Sequence, residues 1–230
     1  MRNDSDPVPE VSDRVAHDSA IRPRVTTVEP GDLSGTRNQN PPDMSLLELI
    51  REDLSTHDGD PTEPGFVALA VHRFGNWRMG VREPTVRRAL SGVYKALYRG
   101  VTLVTGIDLR YSTRIGRRVR FWHHGGTVIS ARAVGDDVCF RHNTTVGVTH
   151  DGADMDDKPV IGNRVEVGVG SVIVGPIEIG DDATIGANAV VVKTCLPGQT
   201  VVGIPARPLE RTRRAPLSLS LDALGDAAAE

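Results

Sequence analysis

The stretch FWHHGGTVIS, residues 121–130, sets two adjacent histidines, His123 and His124, against two glycines in a run that otherwise has strand composition. A third, His142, follows nineteen residues after His123. An imidazole whose ordinary pKa is about 6.5 can take a proton from an alcohol at neutral pH, so one of these side chains could be a general base. Such a base works best when a carboxylate orients it, and Asp108 is the nearest upstream candidate. Alternatively, His123 and His142 with His124 or His150 could give three nitrogens to a zinc ion that keeps an open water position. They could also do no chemistry and fill or cap a wall. The residues alone leave the three readings open.

What would position these side chains is a repeat. The segments IGNRVE, VGVGSV, IVGPIE, IGDDAT, IGANAV and VVKTCL, starting at Ile161, Val167, Ile173, Ile179, Ile185 and Val191, follow one another without a gap. Each opens on an aliphatic residue. Four places later stand Val165, Ser171, Ile177, Ala183, Ala189 and Cys195, all small or aliphatic. A period of six scatters around a helix and does not alternate like a simple strand. A chain that turns a corner every six residues closes a triangular coil every eighteen, so the repeat predicts a mainly β fold, a parallel β-helix. A less regular block precedes it, from Ile115 to Val146, with a slip of one residue between Phe121 and Val128. His123 and His142 both stand third in their sixes, so they should stack on neighbouring coils of one face. The polar stretch 147–159 breaks the period and is too long for a corner, so it should loop out.

Upstream the texture differs. Residues 1–43 lack any apolar period and the hydrophobic content to repay ordering, and read as a disordered extension. Residues 44–106 read as an α-helical region: Ser45 and Glu48 form a capping box for the first helix, and Val86, Leu90, Val93, Leu97, Val101 and Val104 recur at helical spacing in the last. Residues 107–207 are the β-helix, and 208–230 a flexible tail. A formal net charge of −3, with no long basic run, gives no footprint for nucleic acid. Two cysteines, Cys139 and Cys195, far apart, argue against a disulfide framework and read as small buried side chains in a reducing compartment. No apolar run is long enough for a membrane span or a signal peptide, so a cytoplasmic location is expected.

The helical region followed by TGIDLRYSTRIGRRVRFWHHGGTVIS, then VGVGSVIVGPIEIGDDATIGANAVVV and VVGIPARPL, resembles the serine acetyltransferase family of hexapeptide acyltransferases over residues 44–210. REDL, PGF, HRFGNW, TGID and GIPAR fall in the family's order. The resemblance implies a left-handed β-helix, homotrimers with active sites between subunits that can pair through the helical region, and acetyl-CoA as co-substrate with no metal. It implies direct attack of a hydroxyl on the thioester, with His123 as base and Asp108 behind it. Gly147, Gly168, Val169, Ala187, Lys193, Pro205 and Arg207 match the family's coenzyme A contacts, where close backbone approach suits the pantetheine arm and cations suit phosphates.

Three positions depart from the family. Trp122 replaces an aspartate that contacts the acceptor, and Asp157 and Lys158 stand where an Arg-His pair holds the acceptor carboxylate. The tail lacks the terminal isoleucine used to dock into cysteine synthase, so that complex is not expected. Trp122, His124, His142, Asp157 and Lys158 are therefore the expected acceptor contacts. The expected acceptor is the serine hydroxyl, in cysteine biosynthesis. A loop like DGADMDD, after an IGRR and HHG run, also resembles acetyltransferases of exopolysaccharide synthesis, which leaves a sugar hydroxyl as the alternative. A non-catalytic scaffold is the remaining class.

Overall fold

The six-residue punctuation folds as its spacing requires. A computed structural model describes residues 24–150 and 152–209, and fifteen short strands wind there into three walls. The first wall stacks β1 (Ile107–Leu109), β4 (Thr127–Ile129), β7 (Thr145–Gly147), β10 (Val172–Val174) and β13 (Val190–Val191). The second stacks β2 (Arg114–Ile115), β5 (Ala133–Val134), β8 (Val160–Ile161) and β11 (Glu178–Ile179). The third stacks β3 (Arg120–Trp122), β6 (Cys139–Arg141), β9 (Glu166–Val167), β12 (Thr184–Ile185), β14 (Thr200–Val202) and β15 (Arg207–Pro208). All pairings are parallel except the last, β14 with β15.

Register places like residues on like. Leu109, Ile129, Val146, Ile173 and Val191 form one buried ladder, and Phe121, Phe140, Val167, Ile185 and Val201 another. Phe121 and Phe140 stack at 5.3 Å between ring centroids. Each fully buried aliphatic side chain contributes about 1.5–3 kcal/mol, and the ladders repeat that gain on every coil. At one corner Arg118, Asp137, Arg164 and Asp182, all at positive φ, form a column of alternating charge with bidentate pairs Arg118–Asp137 and Arg164–Asp182.

Three helices close the lower end: α1 (Leu46–Thr56), α2 (Pro64–Trp77) and α3 (Pro84–Thr105). The Ser45–Glu48 capping box forms as expected. Asp53 of α1 and Arg73 of α2 make a fully buried ion pair at 2.9 Å. Arg73 also donates to the carbonyls of Ile115 and Gly116, His72 Nε2 to that of Thr113, and Asn76 Nδ2 to that of Tyr111. The HRFGNW stretch is thus a comb of donors that grips the first corner of the coil.

One expectation needs correction. Residues 24–43 do not lack order. Val25 N–H donates to Glu178, Thr26 and Thr27 hydroxyls to Asp181, Gly31 N–H to the Arg132 carbonyl, and Asn40 to the Arg73 carbonyl. Polar bonds to the coil hold this arm, which is why hydrophobic content did not foretell it; residues 1–23 lie outside the described residues. The helix expected at the end of the helical region forms as α3, and most of its apolar stripe is exposed: Val86, Val93, Leu97 and Val104 face out, while Tyr94, Tyr98, Val101 and Thr105 make the packed side. Tyr94 sets that choice by stacking on Tyr98, meeting Tyr111 edge-on and lying under the Arg78 guanidinium. In the tail, Arg207 and Pro208 belong to β15, whereas 210–230 lie outside the described residues.

Candidate active site

The slip of one residue falls at the corner between β3 and β4. Four residues, 123–126, make this turn, against three, 142–144, on the next coil. The excess is taken up by positive φ at His123, Gly125 and Gly126. Trp122 pairs with Arg141, so His123 stands beneath His142, and the two rings meet edge to face at 5.6 Å, as the nineteen-residue spacing predicts. The same register continues to Val169 and Ala187. Four of the expected site residues therefore form one column along a single corner.

The described histidines do different work. His57 and His72 are buried and bonded: His57 Nδ1 donates to the Asp53 carbonyl, and burial, reinforced by Arg73, pushes His72 down to about 3. His123 and His124 are exposed, and neither has a hydrogen-bond partner among the described residues. His123 alone of the two touches other rings, with Trp122 at 6.2 Å and His142 beyond. Its imidazole is held by ring contacts and open to solvent. His142 is half-buried, and its Nδ1 is buried without a partner. Among the described residues no group of three His, Cys, Asp or Glu side chains converges as a metal site, so His123 and His142 gain no third ligand.

Asp108 lies on β1, which runs beside β4, the strand that follows the histidine corner. Its carboxylate accepts the Tyr98 hydroxyl and makes no hydrogen bond to His123. Burial, with this bond, holds the Tyr98 phenol above its ordinary pKa. Tyr98 was not legible in the sequence, since nothing in a helical position ten residues upstream signals a carboxylate partner.

The remaining expected residues lie elsewhere. Asp157 closes a one-turn 3₁₀ helix, 155–157, in the segment after β7, where the Asp154 N–H bonds to its carboxylate and Asp156 pairs with Arg132. The neighbouring Lys158 is half-buried, and burial and Arg110 depress its pKa. Both stand at the edge of the first wall away from the histidines. Lys193 and Arg207 are exposed and line one cavity of about 290 Å³ at the upper end of the coil, and Pro205 lies in the turn between β14 and β15. Gly147 ends β7, where an added Cβ would meet only Ser130 Cβ at 3.9 Å, so the fold itself does not require glycine there. Gly168 differs: its Cβ would fall 2.6 Å from the Ala187 nitrogen, so coil stacking already accounts for it.

Cys139 and Cys195 are buried free thiols whose pKa values burial pushes up to about 12 and about 11. Neither is disposed to be a thiolate nucleophile. One further feature escaped the sequence reading: Arg120 and Arg141 both approach the exposed Trp122 indole, at 3.7 and 5.5 Å from its centroid. The signal was present, because residues 122 and 141 are separated by the same nineteen as the histidines.

Residues 158–193 match the sequence model of the family described as bacterial transferase hexapeptide (six repeats). The serine acetyltransferase of Mycobacterium tuberculosis is 34% identical over 190 residues, which cover 81% of this chain and 74% of that protein. The Helicobacter pylori serine acetyltransferase (strain J99) is 36% identical over 152 residues, 65% of this chain and 84% of its own length. Among solved structures, soybean serine acetyltransferase complexed with serine superposes with a TM-score of 0.61 at 32% identity, covering 72% of this chain and 70% of that one. Together with the coil, its corner histidines and the docked helices, these likenesses show that the chain belongs to the serine acetyltransferase family.

Proposed function

We propose that this protein transfers the acetyl group of acetyl-CoA to the hydroxyl of L-serine by direct attack, with His123 as the general base. The observation that carries the reading is the state of that imidazole: exposed, held by ring contacts, uncommitted to any hydrogen bond among the described residues, and at the foot of the column through His142, Val169 and Ala187. His123 takes the hydroxyl proton as the oxygen bonds to the thioester carbon. When the carbon–sulfur bond breaks, the proton passes to the departing thiolate, so no acyl-enzyme forms and no cysteine is needed. Asp108 is the orienting carboxylate, itself positioned by Tyr98, and it engages His123 once substrates fill the corner.

Coenzyme A suits the residues present. Gly147 leaves open space that a side chain would fill, and Lys193 and Arg207 bring two exposed cations to one cavity where phosphates would lie. These groups and the histidine column stand at different corners of one chain. A ligand reaching both therefore fits best between copies, which supports a homotrimer with sites shared between neighbours; the exposed stripe of α3 is then available for trimers to pair. Serine is favoured over a sugar acceptor because the relatives are serine acetyltransferases and the soybean enzyme is seen complexed with serine.

Release of CoA from acetyl-CoA with L-serine, followed with a thiol reagent, is the test. His123→Ala should lower kcat on the order of 100-fold or more, and far more than His124→Ala does. Equal rates for wild type and His123→Ala would remove the base from this position.

A further inference from the structure

We infer that Arg141 is the specificity-determining residue of the acceptor subsite, where its guanidinium receives the acceptor's carboxylate while the hydroxyl lies on His123. The inference rests on His123 being the base, and deepens that reading. Arg141 and Trp122 are register partners on the outer face of the third wall, both exposed, and each directly precedes one of the stacked histidines. The indole is the shared neighbour, 6.2 Å from the His123 ring and 5.5 Å from the Arg141 guanidinium.

The two arginines at this indole are not equivalent. Arg120 is already paired with Asp58, whereas Arg141 makes no ion pair or side-chain hydrogen bond among the described residues. The acidic residue of the next strand of this wall, Glu166 on β9, stands opposite Cys139 and interacts with that thiol. A guanidinium cannot shed its charge and offers a fork of donors that matches a carboxylate in two parallel bonds. Left unpaired beside a proposed base, it suits an anionic group carried by the acceptor. Lys158, the family-position alternative, stands at the other edge of the first wall with Arg110 for a neighbour.

Steady-state kinetics on the full chain would test this with L-serine and with L-serinamide, whose carboxylate is a neutral amide. Arg141→Gln should raise KM for serine about 10- to 100-fold, the loss of a charge-assisted hydrogen-bond pair, with kcat within about threefold and KM for acetyl-CoA unchanged. The variant should also lose the preference of the wild type for serine over serinamide, and Arg141→Lys should recover part of it. Unchanged serine KM in Arg141→Gln, with a raised KM in Lys158→Gln, would overturn the assignment and give the carboxylate to the loop. If the wild type releases no CoA with L-serine, the serine reading falls by itself. Glycerate against glyceramide then decides Arg141, which stands only if the acid reacts faster than its amide by a similar factor; turnover of neither overturns it.

Discussion

Replacing Arg73 by Met should be among the most damaging single changes available to this chain. The guanidinium is fully buried and serves three acceptors: the Asp53 carboxylate at 2.9 Å and the carbonyls of Ile115 and Gly116 at 2.8 and 2.6 Å. Methionine fills much of the volume but strands a buried carboxylate, and breaking a buried pair this way costs about 3–5 kcal/mol. Each orphaned carbonyl adds about 1–3 kcal/mol before relaxation. The terms overlap, so a loss of about 4 kcal/mol or more is expected, from a total that for most domains is about 5–15 kcal/mol. With a urea slope of about 2 kcal/mol/M, the midpoint should fall by about 2 M. The double variant Asp53→Leu, Arg73→Met should recover part of the loss, because it removes the stranded charge. Urea unfolding followed by circular dichroism measures both. A midpoint shift below about 0.5 M in the single variant, or a double variant no better than the single, would refute the assignment of this pair as the clamp between helices and coil.

Acid should act through His72. Its pKa is lowered from 6.5 to about 3 by burial, so the unfolded chain binds a proton that the folded chain refuses. The contribution is complete above the unfolded value and is lost as pH falls from about 6.5 toward 3, at about 1.4 kcal/mol per unit. His72→Gln, which can still donate to the Thr113 carbonyl, should flatten that slope in urea midpoints taken between pH 7 and 5; an unaltered slope would assign it to other groups. The arm can be checked separately. Thr26→Val with Thr27→Val removes the hydroxyls that bond Asp181, and should speed hydrogen exchange at amides 25–31 while leaving the coil strands protected. Unchanged exchange there would mean that the hydroxyls do not hold the arm.

Periodicity made the coil legible because one residue in six must be aliphatic on every wall, and Ile161 through Val191 obey this without exception. Capping chemistry marked the start of α1 for a similar reason, since Ser45 and Glu48 satisfy each other locally. What could not be read depends on partners distant in sequence. Thr26 meets Asp181, and Arg73 meets Ile115, without any repeat to announce them. The spacing on α3 shows that the helix has an apolar face, but not whether the chain itself covers it. At the site, the stacking of His123 on His142 followed from counting residues, whereas Tyr98 on Asp108 required the fold.

The helical region bears on the chemistry more directly than its distance in sequence suggests. β3, the strand that carries Trp122 and leads into His123, is the terminal strand of the third wall, so one of its edges has no coil to bond. An uncovered edge leaves backbone donors unpaired and a strand free to shift. Here the helices cover it: His57 Nε2 accepts the Phe121 N–H at 3.4 Å, Gly65 lies so close to Phe121 that a Cβ would come within 2.8 Å, and Asp58 takes the Arg120 guanidinium. His57 is in turn bonded to the Asp53 carbonyl, and Asp53 to Arg73. A continuous set of contacts thus runs from the buried ion pair to the strand that leads into His123. Loosening that pair should therefore cost turnover with serine even in variants that keep the coil folded, because β3 would lose the contacts that hold His123 against His142.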